Sequence, residues 1–155
     1  MVSSLNRGFV IFAVLCAASW TTAVFATSCR EAAHALNQRL QPKIDEAELA
    51  NMLDVLNESR NTQLPGKFVT KRQAQQSGWR PGRDLWNVPA LRFKSIGGDH
   101  FGNREGRLPR GDWREADLNY RGGHRGAKRL LFSREGLRRV TVDHYQTFVE
   151  VPPCR

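Results

Sequence analysis

The sequence predicts an α+β domain in which N-terminal helices pack on one face of a five-stranded antiparallel sheet, leaving the other face for catalytic groups. Three observations predict it. The chain has 155 residues, with 40% hydrophobic and 25% charged, which suits one globular domain and excludes disordered, collagen-like and coiled-coil classes. Residues 27–64 contain no Gly and one Pro, whereas residues 65–155 contain 12 Gly and 6 Pro. The apolar pattern changes at the same place, from helical spacing to short runs between Gly-rich turns. Helices first and strands after place the helices together on one side of the sheet.

The N-terminus reads as a leader. Arg7 precedes the apolar run Phe9 to Ala18, and Val24-Phe25-Ala26 presents compact groups at the two positions a signal peptidase reads. Cleavage after Ala26 is expected, with Ala23 as an alternative cut. A membrane anchor is the competing reading, but the run is short and polar Thr21 and Thr22 follow. The expected layout is a leader over 1–26, a helical extension over 27–48 and the main domain over 49–155. Removing the leader leaves no membrane attachment and an exported protein, extracellular or periplasmic. It also removes Cys16, so Cys29 and Cys154 remain as one expected disulfide. Lipidation of Cys29 is the alternative, though the preceding Ala26-Thr27-Ser28 lacks the usual aliphatic residue.

Two helices follow. Ser28 and Glu31 have capping-box spacing, and Pro42 stops what they start. Asp45 and Glu48 form an acidic variant of the box, with Ile44 and Leu49 placed as a hydrophobic staple. Leu49, Met52, Leu53 and Leu56 share one face. Thr70 and Gln73 cap a short third helix that Gly78 ends. Strands are expected at Phe93–Ile96, Trp113–Asn119, Lys128–Ser133, Leu137–Val142 and Phe148–Val151. Within the second, alternation turns Ala116, Leu118 and Tyr120 toward the helices and Trp113, Glu115 and Asp117 away from them.

Charge limits the partners. Lys and Arg number 24 against 15 Asp and Glu, a net +9. Residues 27–64 carry −2 and residues 65–155 carry +10, so the sheet half should attract polyanions: nucleic acid, acidic lipid or acidic protein. A carboxylate pair on so basic a sheet is the first specific signal, with ion pairing to nearby Arg as its plain explanation. Among the histidines, His34 is expected on a helix surface. His100 and His124 sit beside Gly-rich turns, and His144 lies between two strands. No pair has metal-site spacing, and no Ser–His or Cys–His nucleophile has local support.

Three segments then carry a resemblance. Ser95-Ile-Gly-Gly-Asp-His-Phe-Gly-Asn-Arg-Glu-Gly-Arg-Leu-Pro109 resembles the guanine-binding segment of the bacterial extracellular guanyl-preferring ribonucleases of the barnase/binase type. Trp113-Arg-Glu-Ala-Asp-Leu-Asn-Tyr120 resembles their catalytic strand, and Asp143-His-Tyr-Gln-Thr-Phe148 their C-terminal catalytic turn. Lys71, Arg125 and Arg129 match the remaining basic positions, in collinear order from about Leu49 to Val151.

The resemblance implies an enzyme that needs no metal or cofactor. The ribose 2′-oxygen attacks its own phosphate, with Glu115 as base and His144 as acid, and the roles reverse when water opens the 2′,3′-cyclic phosphate. Lys71, Arg125 and Arg129 would stabilise the phosphoryl charge. Asp117 would orient the two arginines, and Asp99 would support the site. Glu105 would accept the N1–H and N2–H donors of guanine, and backbone N–H groups near Asn103 and Arg104 would bind O6. Tyr145 and Phe101 would stack on the base. RNA is then the substrate, an acidic barstar-like protein a possible inhibitor, and the chain a monomer. Gly102 stands where well-known members have Ser, His124 replaces an aromatic residue, and the loop before Trp113 is shorter. These departures bear on guanine preference, not on the acid, base or phosphate groups. Competing readings are a non-catalytic RNA-binding module and an antibacterial toxin with an immunity protein.

Overall fold

The computed structural model describes residues 26–155, so the expected leader, apart from Ala26, lies outside the described residues. The order is α1 (Cys29–Gln38), α2 (Glu46–Glu58), β1 (Phe68–Val69), α3 (Lys71–Gln76), two short 3₁₀ turns, β2 (Ser95–His100), β3 (Trp113–Asp117), β4 (Arg129–Ser133), β5 (Arg138–Thr141) and β6 (Val149–Glu150). The α+β class is as expected. The sheet has six strands in sequence order, β1 parallel to β2 and every other pair antiparallel.

Local chemistry explains the helix starts. Ser28 and Thr70 each accept from the backbone of Glu31 and Gln73, whose side chains return to the cap backbone. Asp45 caps α2 in the same way, but Glu48 does not return. Its buried carboxylate instead accepts the Asn119 N–H and pairs with Lys67, tying α2 to the sheet.

Alternation divides the sheet. Leu36, Leu49, Leu53 and Leu56 from the helices pack with Ala116, Leu118, Leu130, Phe132 and Val140 in the main core. Ile44 and Leu49, the expected staple, are both in it. Cys29 and Cys154 form the disulfide, joining α1 to the C-terminal segment. Asn57 Nδ2 donates to the Cys154 carbonyl at 3.0 Å beside it. The boundary expected between residues 48 and 49 falls inside α2, and α1 and α2 share this core.

Two strand limits moved for identifiable reasons. β2 begins at Ser95 because Phe93 takes φ 64° and breaks the extended run. It carries a bulge between Gly97 and Asp99, at Gly98 with φ 95°. A Cβ at Gly97 would lie 2.6 Å from Phe68 Cδ1 and 2.9 Å from the Ala116 Cβ, so glycine lets β1, β2 and β3 approach here. β3 ends at Asp117, before Asn119 turns the chain at φ 62°.

Candidate active site

The face opposite the helices is built on β3 and β4. Trp113, Glu115 and Asp117 alternate on β3, and Arg129, Leu131 and Ser133 lie opposite them on β4. Glu115 and Asp117 are both buried, at 6% and 2% exposure. A buried carboxylate must be paired, and each is paired differently.

Glu115 Oε1 accepts from Lys71 Nζ at 2.9 Å, and Oε2 accepts from the Tyr145 hydroxyl. Burial acts to raise the Glu115 pKa, but the Tyr145 hydroxyl and the Lys71 ammonium outweigh it. The net effect is a carboxyl below its ordinary value. The same contact works in reverse on Tyr145. Burial and then the hydrogen bond to Glu115 push its phenol well up, so it stays a neutral donor.

Asp117 holds two guanidiniums. Arg125 donates through Nε and Nη2 to the two carboxylate oxygens, both at 2.7 Å. Arg129 brings Nε to 2.9 Å from Oδ1 as an ion pair, but the N–H is not aligned for a hydrogen bond. Its Nη1 donates to the carbonyls of Gly126 and Lys128 at 2.6 and 2.7 Å. The two arginines are thereby fixed before any anion arrives.

His144 and Tyr145 project from a tight turn between β5 and β6, with φ of 56° and 70°. Left-handed backbone at two consecutive non-glycine residues is uncommon and needs strong local support. Asp143 supplies it. Its Oδ1 accepts from Thr141 Oγ1, Gln146 N and Thr147 N, and its Oδ2 from Thr147 Oγ1 at 2.6 Å. Thr141 Oγ1 also accepts the Tyr145 N–H. His144 is exposed and its ring lies 4.9 Å from that of Tyr145.

His144 stands between two cavities. The first, of about 590 Å³, is walled by Phe101, Tyr145 and Phe148 and by the loop from Gly102 to Arg107. Trp113, Leu108 and Leu131 pack beneath these aromatics. The second, of about 320 Å³, is walled by Lys71, Arg83, His124, Arg125, Arg129 and Trp79.

Each expected residue can be located in this frame. Glu115 and His144 are linked through Tyr145. Lys71, Arg125 and Arg129 share the second cavity, although Lys71 also serves Glu115. Asp99 Oδ2 accepts the Lys71 N–H at 2.9 Å, fixing the start of α3. Phe101 and Tyr145 stack on each other, with centroids 5.2 Å apart, rather than standing free. Asn103 at φ 41° closes its loop through two hydrogen bonds to Leu108. Arg104 and Glu105 are exposed on the first cavity's rim, where Glu105 pairs with Arg107 Nε at 2.8 Å. Arg107 Nη1 in turn donates to the Gln146 carbonyl at 2.7 Å, joining the loop to the His144 turn. Sequence reasoning placed Arg107, Asp143 and Phe148 inside the resembling segments but gave them no role. Only Asp143 left a signal, since an Asp in a turn, with Thr141 and Thr147 close in sequence, favours side-chain-to-backbone bonds. His34 lies elsewhere, beside Glu46, whereas His100 lines the first cavity and sits 3.4 Å from Asp112.

An anion would meet fixed guanidiniums here, beside an ionised carboxylate and an exposed imidazole. Comparison with known proteins points the same way. A family model described as ribonuclease matches residues 54–152. The chain is 47% identical over 96 residues to a ribonuclease of Heyndrickxia coagulans, covering 59% of this chain and 86% of that protein. The same identity and length are found with ribonucleases of Bacillus intermedius and Bacillus pumilus, of which 58% is covered.

Proposed function

The chain belongs to the ribonuclease family, and on that premise we propose that it is an exported endoribonuclease. It cuts single-stranded RNA after guanosine, first by transphosphorylation to a 2′,3′-cyclic phosphate and then by hydrolysis. The observation that carries this reading is the buried, ionised Glu115 joined through Tyr145 to an exposed His144, next to two arginines anchored on Asp117.

Guanine occupies the aromatic cavity, against Phe101 and Tyr145. The Glu105 carboxylate leaves Arg107 to accept N1–H and N2–H, a pair of donors that adenine does not present on that edge. Backbone N–H groups of the Asn103–Arg104 turn, which the Asn103 side chain holds open, take O6. The scissile phosphate then lies near His144, facing Arg125 and Arg129. Glu115 takes the 2′-hydroxyl proton as the 2′-oxygen attacks phosphorus, and His144 protonates the departing 5′-oxygen. Charge on the phosphoryl oxygens is met by guanidiniums that need no reorganisation. Lys71 keeps Glu115 ionised and adds positive charge at the same place. In the second stage His144 takes a proton from water and Glu115 returns one to the 2′-oxygen. The base and acid supply both proton transfers, so activity should persist in a chelator. The Cys29–Cys154 disulfide is consistent with an oxidising destination.

The deciding experiment is product analysis on a defined RNA. Fragments ending in guanosine 2′,3′-cyclic phosphate are expected. Bound but uncut RNA would overturn catalysis, and equal cutting after adenosine would overturn the Glu105 assignment.

A further inference from the structure

Among the described residues, Phe93 is a large hydrophobic residue left exposed, at 67%. It lies outside the site described above, and its backbone is in the left-handed region at φ 64°. A bulky residue is rarely found there, and strain of this kind tends to mark function. The ring sits in a built setting. Its centroid lies 5.3 Å from that of Trp86, edge to face, and the Arg92 guanidinium carbon is 5.4 Å from it. Trp86 is itself fixed. Its Nε1 donates to the Lys94 carbonyl at 2.8 Å, and a Cβ on Gly122 would lie 3.0 Å from Trp86 Cε3, so backbone packs against the indole.

A chain of contacts through buried Tyr120 leads from the patch to residues beside the cationic cavity. Trp86 meets the Tyr120 ring at 5.6 Å, and the Tyr120 hydroxyl bonds Asp84 at 2.8 Å and the Gly123 carbonyl at 3.0 Å. Asp84 and Gly123 adjoin Arg83 and His124, which wall that cavity. On the ribonuclease reading, a strand with guanine in the aromatic cavity and its scissile phosphate near His144 would run its leaving side through the cationic cavity toward Phe93.

We propose that Phe93, with Arg92 beside it, is a stacking platform for nucleotides on the 3′ side of the cleaved bond. The proposal rests on the ribonuclease reading for its direction. An exposed ring offers a face to any base, and a neighbouring cation offers charge to the phosphate beside it. The net +10 of residues 65–155 favours a nucleic-acid occupant.

The test compares three RNAs: a guanosine-containing dinucleotide, the same with six added 3′ nucleotides, and the same with six added 5′ nucleotides. Phe93→Ala should lower the ratio of kcat/KM for the 3′-tailed RNA to that for the dinucleotide by about five-fold or more, the effect of losing one stacked base. The ratio for the 5′-tailed RNA should hold. Phe93→Trp should retain the wild-type ratios. Phe93→Gly removes the ring while relaxing the left-handed backbone, so it should show the same loss on the 3′-tailed RNA even if the alanine variant folds poorly. Unchanged ratios, or equal losses on both tails, would overturn the platform. Binding of the matching oligomers lacking the reactive 2′-hydroxyl, followed by fluorescence anisotropy, separates the two readings. Phe93-dependent binding without cleavage by the wild type would sink the ribonuclease reading and keep the platform. Cleavage with Phe93-independent binding would do the reverse.

Discussion

The two cavities that meet at His144 are built on opposite principles. On the cationic side, two arginines are locked on a buried carboxylate. Asp117, 2% exposed, holds Arg125 by two bonds and pairs with an Arg129 that is 4% exposed. On the aromatic side, the shape is fixed by packed rings and by Asn103, but the charged groups are loose. Glu105 and Arg107 are both exposed, and an exposed pair of this kind contributes about 0–1 kcal/mol. The difference teaches where each demand falls. Charge developing on a phosphate is best met by groups that need not move. A base must be admitted and released, so its polar partner has to exchange one weak contact for another.

The strongest way to break this picture is to remove the proton carriers. Glu115→Ala and His144→Ala should each lower kcat by about 100-fold to 10,000-fold, the usual range for a general acid or base. KM for RNA should change little, because the arginines remain. Wild-type turnover in either variant would end the acid–base assignment.

Next comes the locked side itself. Asp117→Ala would strand Arg125 and Arg129 with their counter-charge gone. Breaking a buried pair by removing one partner costs about 3–5 kcal/mol, measurable as a lower urea midpoint with an unchanged slope. A loss below about 1 kcal/mol would mean that the arginines find solvent easily and are not preorganised. The loose side should respond in selectivity rather than stability. Glu105→Gln should reduce the preference for guanosine over adenosine by about ten-fold to a hundred-fold, the range for hydrogen bonds to a charged group. Its melting temperature should barely move. If stability falls and preference holds, the roles of the two sides are exchanged.

These contrasts also mark what the sequence made legible. The helix caps at Ser28, Asp45 and Thr70 were readable because a cap is closed within three residues. The alternation was readable because it needs no partner: Ala116 and Leu118 joined the helix core and Glu115 and Asp117 the other face, whereas Tyr120, past the Asn119 turn, joined a second core with Trp79 and Leu85. β1 escaped because two residues carry no pattern, and its pairing depends on Ser95 and Ile96 far along the chain. Phe93 looked like a strand residue by type, yet it is turned into the left-handed region. Lys71 and Tyr145 illustrate the deeper limit. Resemblance assigned one to phosphate and the other to base stacking. Their contacts to Glu115 span 44 and 30 residues of sequence, a convergence that only the folded chain displays.

That convergence makes Tyr145 the residue where the two sides of the site touch, and it yields the subtlest test. Its ring belongs to the aromatic cavity, and its hydroxyl belongs to Glu115. Tyr145→Phe keeps the ring against Phe101 and deletes only the hydroxyl. Burial pushes the Glu115 pKa up, and the Tyr145 bond is the first of the groups that bring it below its ordinary value. Without that bond the pKa must rise. Glu115 has to be ionised to act as base, so the acidic limb of kcat/KM should move to higher pH than in the wild type. Stability should follow with the same sign. A carboxyl depressed in the folded state contributes stability that is present above its unfolded value and lost as pH falls through the folded one. In the variant this contribution is smaller and its loss is complete at a higher pH, while activity near neutrality changes least. An acidic limb that stays in place would assign the ionisation of Glu115 to Lys71 and the nearby arginines alone.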